Sequence, residues 1–189
     1  MAKTLFKPIT TFDVTIPVSW ENEAASPVIL ESIEQYAQLL PKISETTSFE
    51  SFTFILWSFG MENFIREASM STSLDGSRYL DTAKLRENKL RWLLVKWTLK
   101  GPDGATEPLE HITVQGRKGV TDACMAKVLG LDSTLMFLVL GMVDKVLAGL
   151  LPPDALLSQA DFEQLAKGEI PTRLKNTQTP VEGTPAPKV

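Results

Sequence analysis

Residues 134–151, TLMFLVLGMVDKVLAGLL, are apolar on almost every side of the helix they spell. Leu135, Met136, Phe137, Leu138, Val139, Leu140, Met142, Val143, Val146, Leu147, Leu150 and Leu151 ring its axis. Only Asp144 and Lys145, with small Gly141 and Ala148, relieve them. A helix hydrophobic all round must be covered all round, by its own domain or by another chain. A small domain has few elements to wrap such a rod, so part of its surface is expected to await a partner. Phe137, Met142 and Leu147 are the expected partner-binding anchors. A thioether such as Met142 suits an adaptable contact. The competing expectation makes the same helix the centre of the core. Its uninterrupted apolar run ends at Asp144 and Lys145, well short of the roughly 20 residues that span a bilayer, so no membrane partner is expected.

The remaining elements are read from period and punctuation. In TFDVTIPV, residues 11–18, Phe12, Val14 and Ile16 alternate with Thr11, Asp13 and Thr15, the period of a half-buried strand. Pro17 implies that this strand ends early or lies at a sheet edge. Residues 25–41 carry helix punctuation: Ser26 to cap, Pro27 in the first turn, and Ile29, Ile33, Tyr36 and Leu40 on one face before Pro41. Residues 51–57 are mostly apolar on both faces, which predicts an interior strand. Gly60 is then expected to bend the chain into a helix over 61–68, and the polar residues 69–81 form an exposed loop around Asp75-Gly76.

Residues 82–99 favour helix in their first half and leave strand and buried helix open in their second. GPDG at 101–104 is a turn, and HITVQG at 111–116 is a short strand or a surface loop. Thr121 is placed to cap a helix whose face is Cys124, Met125, Val128 and Leu129, stopped by Gly130. Asp132 or Ser133 caps the 134–151 helix, which Pro152-Pro153 is expected to end. Ser158, with Asp161 three residues on, opens a short helix over 159–167. Residues 170–189, rich in Pro and Thr and almost without large apolar side chains, are expected to form a disordered tail after one domain of residues 1–169. The predicted fold is α+β: a small, mainly antiparallel sheet from 11–18, 51–57 and 91–99, packed by helices 27–40, 120–129 and 134–151.

Chemistry-bearing constellations fail one by one. Strand, glycine and helix follow one another across SFTFILWSFGMENF, the order of a phosphate cradle. Such a loop needs several glycines and a Lys-Ser/Thr pair. Here Met61, Glu62 and Asn63 follow Gly60, and Glu62 puts negative charge where the anion would sit. The GRKG stretch, residues 116–119, resembles the backbone-clamping loop of KH domains. HITVQ before it looks extended, however, and the chain carries a formal charge of −4. A solvated loop is the expectation, and Arg117 and Lys118 are the residues on which a nucleic-acid-binding alternative would depend.

One cysteine, Cys124, and one histidine, His111, allow neither an internal disulfide nor a paired-histidine zinc site. Cys124, on an apolar helix face, reads as a buried thiol. Asp161/Glu163 and Glu31/Glu34 read as exposed helix carboxylates, and no Ser/His/Asp set is legible. No enzyme activity, cofactor or metal is therefore expected. MAKTLFKPIT, interrupted by Lys7 and Pro8, is a poor signal peptide, which points to the cytoplasm.

Three stretches resemble tail-assembly proteins of tailed bacteriophages: FTFILWSFGMENFIREAS, LRENKLRWLLVKWTLKGPDGATEPLE and DKVLAGLL. The first is similar to a Trp-x-Phe-Gly stretch followed by a helix. The second is similar to a segment that runs from LL and Trp into a Pro/Asp/Gly turn. The third resembles a closing helix before a flexible tail. Together they span roughly residues 50–151. The resemblance implies a small phage-encoded assembly factor, without catalysis, acting in the host cytoplasm. Tape-measure, tail-tube or baseplate subunits would be its partners, and a homo-oligomer is left open. A permanent neck or baseplate subunit of the virion is the alternative.

Overall fold

Alternating Phe12, Val14 and Ile16 do form one face of a strand, β1 (Thr11–Ser19). In the computed structural model, which describes residues 10–19, 47–100, 104–131, 133–169 and 171, β1 pairs antiparallel with β2 (Thr47–Ile55). Phe12 faces Phe54 and Val14 faces Phe52 across the pair, so all four side chains enter the core. On the other face Thr15 Oγ1 and Ser51 Oγ lie 2.8 Å apart, and Thr53 donates to Asp13 at 2.5 Å. β2 is the central strand, as predicted, but this outer face is polar rather than apolar. β1 lies at the sheet edge and runs through Pro17, which the edge position tolerates.

Three residues after β2, Ser58 caps α1 (Phe59–Ala68), its side chain accepting from the Met61 N–H at 3.3 Å. Gly60 therefore sits inside the first helical turn; the corner is turned before it. The stretch expected to be a loop is a hairpin, β3 (Met70–Thr72) with β4 (Arg78–Leu80), closed by Gly76 at φ 83°. Asp81 caps α2 (Thr82–Leu93), accepting from the Ala83 and Lys84 N–H groups. Helix then gives way directly to strand β5 (Leu94–Trp97), which joins β2 and completes the order β1-β2-β5. That resolves the mixed pattern of residues 82–99: the helix runs on through Trp92 and Leu93, and Leu94–Trp97 are strand.

β6 (His111–Val114) and β7 (Arg117–Val120) make a second hairpin. Its two-residue turn, Gln115-Gly116, has positive φ at both positions, 50° and 73°, the primed geometry that matches strand twist. GRKG is thus turn and strand. A Cβ on Gly119 would stand 2.7 Å from the Trp92 ring, so the second glycine exists to let the hairpin lie against α2.

α3 (Asp122–Leu129) begins at Thr121, which accepts from the Cys124 N–H as predicted. α4 (Ser133–Leu147) ends earlier than its apolar run implied. Gly149, at φ 71°, donates to the Val146 carbonyl at 3.0 Å, and Leu150 donates to that of Lys145 at 2.9 Å. This left-handed glycine terminates the helix before Pro152 is reached. After a 3₁₀ turn at Pro153–Ala155, α5 (Gln159–Ala166) opens on a reciprocal cap between Ser158 and Asp161. Asp161, expected on an exposed face, is buried because that cap draws it inward.

The architecture is α+β: among the described residues, small antiparallel sheets with five helices. The core joins Phe12, Val14, Ile16, Phe52 and Phe54 to Ile65, Leu90, Leu93 and Trp97, and to Val139, Val143 and Val146 of α4. The helix predicted over 27–40 lies outside the described residues, as does the 170–189 tail apart from Pro171, which is buried.

Candidate functional site

α4 is the most apolar helix, and most of it is covered by its own fold. Val139 and Val143 are fully buried, and Leu135, Met136, Leu140 and Val146 nearly so. Of the three expected anchors, only Phe137 faces outward, 57% exposed. Met142 is buried and lines a water-sized void with Val14, Ile16, Leu156 and Phe162. It is a core side chain, because its side of α4 faces β1. Leu147 is half-buried against the same core.

Phe137 stands at the lip of a groove of about 370 Å³ between α2, α3 and α4. Two matching stripes build its walls. On α2 they are Ala83, Arg86, Glu87 and Leu90; on α4 they are Ser133, Met136, Phe137 and Leu140. Each set recurs at i, i+3, i+4 and i+7, the spacing that puts four side chains on one helical face. Val128, Leu129 and Leu131 close one end, and Leu129 is 58% exposed. Leu90, Val128, Met136 and Leu140 are buried and form an apolar floor.

Charge enters only at the rim. The Arg86 guanidinium lies 4.8 Å from the centre of the Phe137 ring and, among the described residues, is in salt-bridge reach of no carboxylate. Glu87 on the same wall is engaged by Arg91, which also reaches Asp122 at 2.6 Å. Lys84 Nζ donates to Ser71 Oγ at 2.9 Å. In an acidic chain, the uncommitted charge beside this groove is therefore positive.

Among the described residues, several other titratable and reactive groups are engaged in holding the fold. Lys89 Nζ meets Asp144 at 2.5 Å, 5.5 Å from the centre of the Trp57 ring. Glu50 accepts from Thr98 at 3.1 Å, and its burial pushes its carboxyl above the usual range. No residue pattern along the chain flagged Glu50; only its place in β2, opposite Ile16, shows the desolvation. Cys124 is buried, as predicted, with its thiol 3.6 Å from the Pro108 carbonyl. The His111 Nε2 lies 3.2 Å from the Leu94 carbonyl. Arg117 stacks on Phe64 at 4.3 Å, so half of the basic pair in GRKG is turned onto the protein.

No protein-family model matches this chain, and no curated protein or solved structure matches it. Among the described residues, no helix is long and apolar enough to cross a membrane, and no group of three metal-ligating side chains gathers.

A second concavity, about 290 Å³, lies over the outer face of the sheet beside Asp13, Thr15, Ser51, Thr53 and Lys96. Several of its polar atoms bond one another, as Thr15 with Ser51 and Thr53 with Asp13. Apolar Phe59 and Leu150, both strongly exposed, line neither concavity. Of these two concavities, the α2–α3–α4 groove is the one that combines an apolar floor with exposed large side chains.

Proposed function

We propose that this chain is a non-enzymatic assembly protein of a tailed bacteriophage that holds an apolar segment of a structural tail or baseplate subunit in the α2–α3–α4 groove. The observation that carries the docking half is Phe137, more than half exposed at the edge of a floor made by Leu90, Val128, Met136 and Leu140. Monomeric proteins seldom leave large apolar side chains around a concavity without a partner for them. Small-molecule sites usually add convergent polar groups to an apolar pocket, and this groove has polar groups only at its rim. Support for the phage class of partner comes from the resemblance of residues 50–151 to tail-assembly proteins.

Co-expression of the tagged chain with tape-measure, tail-tube and baseplate subunits, each in turn, tests the reading. One of them should be retained by the wild type and lost from Phe137→Asp and Leu129→Asp. Retention of none, or equal retention by folded groove variants, would overturn it. Mass spectrometry of mature particles then separates a chaperone, absent from them, from a permanent subunit.

A further inference from the structure

From the charge of its rim, we infer that the groove takes an amphipathic helix bearing carboxylates beside its apolar stripe. This rests on reading the groove as a docking site and adds the chemistry of its occupant. The two walls present side chains at helical spacing from two helices, and the floor between them is continuous and apolar. A third helix laid there with residues at i, i+3 or i+4, and i+7 fills such a floor. Its flanks would then pass Arg86, whose charge meets the Phe137 ring and no carboxylate of the described residues. Lys84, on the same wall, is held by Ser71 beside Asp81, and Glu87 is matched by Arg91, so Arg86 sets the sign. An acidic flank gains an ion pair with Arg86 without displacing the ring contact, because a guanidinium stacks by its face and hydrogen-bonds by its edge. A basic flank meets like charge.

Two fluorescein-labelled designed peptides of about 18 residues test this, long enough to form a helix on docking. They share one leucine stripe and differ only in carrying Glu or Lys beside it. Anisotropy titration against the full chain should show the Glu peptide binding about tenfold more tightly at low salt, the difference shrinking as salt is added. Arg86→Glu should reverse the preference, and Phe137→Ala should weaken both peptides alike.

Equal affinity for the two peptides, or a preference that Arg86→Glu leaves intact, overturns the acidic helix. If a structural subunit is nevertheless lost from Phe137→Asp in co-expression, the docking reading stands and only the occupant's chemistry falls. Arg86-dependent binding of the Glu peptide without retention of any tail subunit has the opposite meaning: the helix class stands and the phage assignment falls. A dimer in sedimentation that Phe137→Asp dissolves would show a second copy as the occupant and overturn the proposal. So would a Glu peptide that binds only after Ile33→Asp, since the chain's own residues 25–41 would then fill the groove.

Discussion

Lys89 on α2 donates to Asp144 on α4 at 2.5 Å, and the two ends of the contact differ sharply in exposure: 10% for the lysine side chain, 50% for the aspartate. The pair ties together the two helices whose outer faces make the groove. Their asymmetry predicts asymmetric variants. Asp144→Ala strands an ammonium away from water and should cost about 2 kcal/mol, below the range for fully buried pairs because Asp144 is half in solvent. Lys89→Met keeps an apolar stem of similar length in the buried position, leaves Asp144 free to hydrate, and should cost under about 1 kcal/mol. Urea unfolding of both variants checks the order; equal losses would mean that the contact is a solvated one.

Gly119 and Gly60 should respond to alanine in opposite directions. A Cβ at Gly119 meets the Trp92 ring at 2.7 Å, and that ring is itself held edge-on by Phe64 at 5.0 Å between centroids. Gly119→Ala should therefore destabilise by about 1–3 kcal/mol, the usual cost of overpacking. At Gly60 nothing lies within 4 Å of the added carbon and the residue is already helical. Gly60→Ala should stabilise by about 0.5–1 kcal/mol through helix propensity and a less disordered unfolded chain. Thermal melts of the two proteins against wild type decide this.

Glu50 makes stability depend on pH. Burial raises its carboxyl above the ordinary 4.5, against smaller opposing effects of the Thr98 hydrogen bond and the Lys100 charge. A folded state with a raised carboxyl pKa binds the proton more tightly than the unfolded chain. Its contribution is then full below pH 4.5 and is lost as pH rises through the folded value. Glu50→Gln still accepts from Thr98 but never ionises. The variant should be more stable than wild type at neutral pH, and the advantage should vanish on acidification. Denaturation midpoints on both sides of the transition measure it, and an advantage independent of pH would refute this origin.

What the sequence shows depends on the range of the interaction. Thr121 with Cys124 and Ser158 with Asp161 are caps closed within three residues, and both are where their local pattern puts them. The strand face of Phe12, Val14 and Ile16 is equally legible, since period two alone defines it. Phe137 and Met142 differ for a reason no local pattern holds. They lie about 140° apart around one helix, so a core on one side must leave them unequal. Which of them is inside depends on where β1 passes, and in a rod apolar all round the sequence offers no sign of that. Gly119 has the same character: its need for hydrogen in place of a side chain comes from Trp92 on a different element. The groove is not legible in the sequence because its α2 wall looks like an ordinary charged face until α4 stands opposite.

Arg117 and Lys118 allow the nucleic-acid alternative to be tested directly. Arg117 lies over the Phe64 ring at 4.3 Å, which turns its guanidinium onto the protein. Replacing both with Ala should leave retention on RNA and DNA unchanged at low salt, where backbone contacts are strongest. The same change should cost about 0.5–1 kcal/mol of stability through the lost cation–π contact. A loss of retention by a variant that stays folded would revive the alternative.

Phe137 and Met142, equal candidates in the sequence, should part completely when each becomes aspartate. At Phe137 the new carboxylate sits in solvent and next to Arg86. Phe137→Asp should therefore keep the wild-type circular dichroism spectrum and fall within about 0.5–1 kcal/mol of its stability. Met142→Asp places the charge among Val14, Ile16 and Phe162, with no cation of the described residues lining that void. It should lose more than about 4 kcal/mol, the scale of an unpaired buried charge, and fail to fold at ordinary temperature. If Phe137→Asp unfolds as well, its ring belongs to the core and the groove loses its main anchor. If it folds and still holds its structural subunit in co-expression, docking occurs elsewhere on the surface.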